Sequence, residues 1–299
     1  MNNRSNLDRP DVKGDNWQAE IQEIISGASG GFLFGIPLLY TMEVWFIGSY
    51  VQPSMLLGII AVTLIVIFTI NRIEGFRPQE SKTLPGALAE TIETLAIGMV
   101  CSALMLIILK RIDLQTSLTE VLGKIIFEGV PFSLGVAFSR SLLSGDAEVD
   151  LDEGDKRSTS KTGSQISLQD TIADLGATLI GALFIAFSIA PTDEITVLAA
   201  SASSPWLLII MFTSLLVSYC IVFASEITNY QQRLQQLGIF QSPVSETIIS
   251  YLMSLFVSML MLWFFQKIAF SDPWYIWLRY SIILGLPASI GGAAGRLAV

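Results

Sequence analysis

Eight apolar runs of about 20 residues dominate this chain, near 24–48, 54–73, 90–110, 119–140, 171–191, 205–227, 247–268 and 274–296. A helix rises about 1.5 Å per residue, so each run is long enough to cross the ~30 Å hydrocarbon core of a bilayer. In lipid every backbone N–H and C=O must be satisfied within the protein, which leaves helices and closed barrels. The runs lack the two-residue alternation of barrel strands. The expected fold class is therefore all-α, a polytopic helical membrane protein with eight transmembrane helices. Charged residues make up only 14% of the chain, against roughly a quarter in soluble domains.

The chain also reads as written twice. Four ungapped blocks align in order: Ile21–Val44 over Ile172–Ile195, Pro53–Glu74 over Pro205–Glu226, Glu90–Ile112 over Glu246–Ile268, and Gly129–Arg140 over Gly285–Arg296. Identities total 22 of 81, and the last two blocks match by position, as ETI…S.LML…I and GxPxSxGxAxxR. Each copy holds four runs, an even number, so both copies should share one orientation as two parallel four-helix repeats. The domains expected are 1–142, a polar N-terminal segment and the first repeat; 143–166, a linker; and 167–299, the second repeat. Asn16 and Ser167 align as helix N-caps. The linker carries six carboxylates within Asp146–Asp155 and reads as disordered and cytoplasmic. It does not satisfy an EF-hand, because Leu151 and Arg157 stand where glycine and glutamate are required.

Lysine and arginine fix the orientation. With the N-terminus inside, twelve fall on the inner side and five (Lys110, Arg111, Lys124, Lys267 and Arg279) on the outer side or in the fourth span. Both termini should then be cytoplasmic, with Trp45, Trp206, Trp274 and Trp277 in an outer aromatic belt. The first 23 residues are polar, with no cleavable signal. Cys101 and Cys220 lie in apolar runs and read as small buried hydrophobes. The chain has no histidine, which removes the usual haem and transition-metal ligand. Its net charge of -9 argues against nucleic acid. GxxxxGK[ST], GxSxG and HExxH motifs are absent, and no pair of aspartates lies within spans, so no enzyme and no cofactor are expected. The identity of any bound metal is left open. The expected partner is the lipid bilayer, with cations or protons as cargo and a homo-oligomer allowed.

Ionisable residues inside spans are the candidate sites, because burying them in lipid is expensive. Glu43 and Glu194 align and are each followed by more apolar chain, with Thr41 and Thr192 aligned two residues before them. They could bind cations or protons, or simply mark helix ends at the headgroups. Glu128 lies deeper and has Leu284 as its counterpart. Lys124, one turn away, could form a structural pair with it or compete for it in an ion site. Pro131 and Pro287 stand at matching mid-span positions, as kinks that expose carbonyls or as close-packing sites. At the cytoplasmic ends, Glu74, Glu90 and Arg140 match Glu226, Glu246 and Arg296, which suggests an ion-pair network that ties helix ends or gates the inner side. Gly27, Gly31 and Gly35 form a small-residue face for helix packing.

The stretches GFLFGIPLLYTMEVW at 31–45 and PFSLGVAFSR at 131–140 resemble a bacterial family of integral membrane proteins of unknown function. That resemblance implies the bacterial inner membrane and supplies no activity. The reading from the residues is a cation or proton-coupled channel or secondary transporter. Its rival is a non-transporting scaffold or sensor subunit whose cytoplasmic linker binds a partner.

Overall fold

The computed structural model describes residues 13–73, 83–139, 143, 163–224 and 243–297, and among them all regular structure is helical. The helices are α1 (Lys13–Leu39), α2 (Met42–Tyr50), α3 (Pro53–Ile73), α4 (Leu84–Ile108), α5 (Leu118–Ala137), α6 (Gly163–Ile189), α7 (Glu194–Ser201), α8 (Ser204–Ala224), α9 (Pro243–Phe264) and α10 (Trp274–Leu297). Five of them, α3, α4, α8, α9 and α10, are long and apolar enough to cross a membrane; counting each of two bent helix pairs as one span raises this to seven. The remaining expected span, α5, is 20 residues long and carries Glu120, Lys124 and Glu128.

The run expected as a single first span, 24–48, is broken. The axis turns by 91° between Glu20–Leu39 and Met42–Tyr50, and by 92° between Asp174–Ile189 and Glu194–Ser201. Pro37 sits one turn before the first break, and Pro191 lies in the second. A break of this kind leaves helix-end groups without intrahelical partners, at about 1–3 kcal/mol for each one left buried and unsatisfied. Here side chains supply the partners. The Trp45 indole Nε1 donates to the Leu39 carbonyl at 2.8 Å. The Glu194 carboxylate accepts from the backbone N–H of Met42, the first residue of α2, at 3.3 Å. In the second elbow the Thr192 hydroxyl donates to the Ile189 carbonyl at 2.7 Å. Trp45 is thus buried as an elbow staple and is not an aromatic-belt residue.

Helix α5 packs on α1, α2, α3 and α4, while α10 packs on α6, α7, α8 and α9; α1 also touches α8 and α10 and so joins the halves. Two close crossings occur at aligned positions. A Cβ at Gly30 would meet the Gly135 carbonyl oxygen and one at Gly135 the Gly30 carbonyl oxygen; Gly181 and Gly291 stand in the same reciprocal relation. Helix backbones approach this closely only where no side chain intervenes. Gly27, Gly31 and Gly35 face Val136 and Phe132 of α5 in the same seam.

The ends of α4 and α9 also correspond. Lys110 and Gln266, at aligned positions, have φ of 56° and 57°. Arg111 N donates to Leu106 O at 2.8 Å and Lys267 N to Leu262 O at 2.9 Å, the six-to-one bond of a Schellman cap. The expected N-caps at Asn16 and Ser167 both fall inside helices, which begin earlier, at Lys13 and Gly163. Pro131 and Pro287 lie within uninterrupted helices; the chain breaks at the elbows instead.

Candidate ion site on helix α5

Helix α5 begins with a serine N-cap. The Ser117 hydroxyl accepts from Glu120 N, and Asp113 organises the preceding turn by accepting from Gln115 N at 2.9 Å and from the Thr116 hydroxyl at 2.8 Å. The Thr116 hydroxyl first, then the Gln115 N–H, hold the Asp113 carboxyl below the usual 3.8.

From that start, Glu120, Lys124 and Glu128 follow at four-residue spacing, which stacks them on one face of the helix. They descend in exposure. The Glu120 side chain is 33% exposed and that of Lys124 11%, whereas Glu128 is 1% exposed. The Lys124 ammonium donates to Glu120 Oε1 at 2.6 Å and to the Arg111 carbonyl at 2.9 Å, and the Ser49 hydroxyl of α2 donates to the same glutamate oxygen at 3.3 Å. The pairing of Lys124 with Glu128 that the sequence allowed is therefore not the one formed. Lysine leans back toward the helix N-terminus, as helical side chains do.

Both carboxyl oxygens of Glu128 are buried with no hydrogen-bond partner. One turn above, Gly48 of α2 rests on the Lys124 backbone; one turn below, the Phe132 ring fills the space beside Gly35 of α1. Glu128 thus lies at the level of the α1–α2 elbow. Neighbouring hydroxyls are committed elsewhere. Ser102 of α4 donates to Met99 O and Ile125 O, and Ser133 donates to Leu95 O. No group of three or more metal-ligating side chains occurs among the described residues.

Glu43 and Glu194 do not occupy equivalent surroundings. Glu43 is exposed on α2, whereas Glu194 is buried and caps that same helix across the half boundary. Thr41 contributes its carbonyl to Val44 N at 3.1 Å, and Thr192 is spent on its own elbow. Of the expected cytoplasmic network, Arg296 pairs with Glu246 and donates to the Ser250 hydroxyl, and Glu90 is buried. Glu74, Arg140 and Glu226 lie outside the described residues, as does most of the 143–166 linker. Cys101 and Cys220 are free.

Sequence reasoning passed over Glu120 and the Gly30–Gly135 contact, and it assigned Trp45 to the aromatic belt instead of the elbow. The spacing of Glu120, Lys124 and Glu128 was a readable signal for the first, and the identity of Gly30 with Gly181 for the second. Nothing local marked Trp45, whose partner exists only because the helix breaks.

Bundled apolar helices with a buried carboxyl define a polytopic helical membrane protein. Residues 23–299 match the family described as "Putative integral membrane protein (DUF2391)", and the chain belongs to that family. The description names no activity. No curated relative and no solved structure matches the chain.

Proposed function

We propose that this chain is an ion-coupled membrane transport protein, a channel or secondary transporter, in which Glu128 carries the ion. The observation that supports this reading is the Glu128 carboxyl, fully buried with neither oxygen partnered. A structural carboxyl is hydrogen-bonded, because leaving it bare costs about 1–3 kcal/mol. A bare one in an intramembrane position fits a group that binds and releases an ion. Glu194 sits where it can tie the α1–α2 elbow to the second half, and the Glu246–Arg296 pair is placed for an inner closure. Glu43, Thr41 and Thr192 keep at most a lining role.

The eight helical runs form two parallel repeats in this reading, with α5 as a span and each elbow belonging to its first helix. Both termini are cytoplasmic and the protein resides in a bacterial inner membrane. The reciprocal glycine crossings and the aligned left-handed caps support the repeat, and the distribution of lysine and arginine supports the orientation. The scaffold alternative has no observation of its own in its favour.

The test is flux in proteoliposomes. Wild-type vesicles are expected to dissipate an imposed proton, sodium or potassium gradient faster than protein-free vesicles, and Glu128→Gln to abolish the excess. Equal rates in wild-type and protein-free vesicles for all three ions would remove the transport reading.

A further inference from the structure

We infer that the ion at Glu128 is a proton, and that Lys124 is a two-position switch that reports its loss by moving from Glu120 to Glu128. The inference rests on the transport reading for its purpose but not for its chemistry. A metal cation needs several oxygens around it, typically six or more for the hard divalent ions. Glu128 offers one carboxylate; the Ser102 and Ser133 hydroxyls are bonded to carbonyls, and Lys124, one turn away, is held by other acceptors. A proton requires no such shell. The Glu128 carboxyl with its proton is a neutral group, and a neutral group tolerates this site far better than a bare anion.

The arrangement of α5 supplies the second half of the inference. Glu120 and Glu128 flank Lys124 at i-4 and i+4, so one ammonium can serve either carboxylate. A glutamate four residues N-terminal to lysine is the better of the two orientations, so with Glu128 neutral the ammonium rests on Glu120. When the Glu128 O–H bond breaks, its electron pair stays on the carboxylate and the proton passes to water. The new buried anion then outbids a partner that is one-third exposed and already solvated. Moving the ammonium inward removes it from Glu120 and from the Arg111 carbonyl. Glu120 then keeps only a 3.3 Å contact with the Ser49 hydroxyl, which also donates to Trp45 O at 2.8 Å, so protonation at Glu128 sets how firmly the α4–α5 turn is tied to α5 through the Arg111 carbonyl.

Other titratable groups on the elements packed against α5 do not compete. Tyr40 donates to Ile283 O, Glu43 is exposed on α2, Cys101 lies on α4 and bears no charge as a thiol, and Arg111 stacks over the Trp45 ring. Glu23, Arg72, Glu90 and Glu93 stand toward the opposite ends of their helices.

Infrared difference spectroscopy of the purified protein in lipid, titrated from neutral to alkaline pH, tests this directly. Wild type should show a protonated-carboxyl stretch that disappears on alkalinisation. The band should be missing in Glu128→Gln and in Glu128→Leu, the second variant guarding against misfolding of the first because leucine is what the second half carries at that place. In Lys124→Met the band should persist at pH values where wild type has lost it. A wild type with no such band at neutral pH, or a Lys124→Met titration identical to wild type, overturns the inference. Glu128-dependent flux that follows sodium or potassium and ignores pH overturns it while leaving transport intact. A band that titrates as expected in a protein without flux upholds the proton site and removes the transport reading.

Discussion

Helix α5 packs against α1 to α4 much as α10 packs against α6 to α9, and the two helices differ most along one face. Where α5 presents Glu120, Lys124 and Glu128, the aligned residues of α10 are Ile276, Tyr280 and Leu284. Leu284 is completely buried, as Glu128 nearly is. Elsewhere the two helices agree: each holds a mid-helix proline, and each meets the first helix of its half through reciprocal glycines. The packing plan thus works with apolar residues on this face. The charged file in the first half departs from that plan, and at Glu128 it leaves a carboxyl buried without a hydrogen-bond partner.

Exchanging the residues is the sharpest way to break this comparison. Leu284→Glu gives up the burial of a leucine, about 1.5–3 kcal/mol, and leaves a carboxyl buried and unsatisfied at about 1–3 kcal/mol more. We expect a loss of about 4 kcal/mol, read from denaturant unfolding in micelles. If Leu284→Glu unfolds like wild type, the asymmetry between α5 and α10 carries no energetic meaning.

The glycine crossings test the opposite side of the comparison, what the halves share. Gly30→Ala and Gly181→Ala each drive a methyl into a facing carbonyl oxygen, and the backbone must move to admit it. Overpacking of this kind costs about 3 kcal/mol or somewhat more. The two variants should lose stability to a similar degree, and a mild effect in one half alone would mean that the crossings are not equivalent. Next in size, Glu128→Leu should stabilise the protein by about 2 kcal/mol, the reverse of leaving a polar group buried and unsatisfied, while removing flux. A destabilised Glu128→Leu would show that the carboxyl has a structural partner after all.

Much of this was legible in advance, for reasons that can be named. The spans α3, α4, α8, α9 and α10 announce themselves through length and hydropathy, because lipid allows little else. The depth of Glu128 and its replacement by Leu284 were readable once the halves were aligned. The elbows were not. The apolar run passes through Tyr40 and Thr41 without interruption, and proline is tolerated inside membrane helices, so Pro37 could not tell a helix that bends from one that stops. The different fates of Glu43 and Glu194 were hidden for the same reason. Glu194 is buried because it caps α2, a helix whose start exists only where the break is. Lys124 was read only against Glu128, although Glu120 lies at the same spacing on the other side; the turn that brings the Arg111 carbonyl to the ammonium favours Glu120, and that turn is tertiary.

The smallest expected effect lies at the turn that leads into α5. Both turns share a bond, from Asp113 N to the Thr116 hydroxyl oxygen at 3.0 Å and from Ala269 N to the Asp272 carboxylate at 2.8 Å; in the first half alone Asp113 adds its own carboxylate, which accepts from Gln115 N and the Thr116 hydroxyl. Asp113 titrates below its ordinary 3.8 because those donors favour the carboxylate. A depressed value in the folded state means that the contribution is complete above the unfolded value and fades as pH falls through the folded one. Asp113→Asn should therefore unfold slightly more easily than wild type at neutral pH, and the two should converge well below pH 3.8. The turn is fully exposed, so the difference should be slight and should shrink with added salt. A gap between the two proteins that survives in acid would mean that the side chain acts through its shape and not its charge. The Ser117 cap and the line of residues below it would then be positioned without help from the carboxylate.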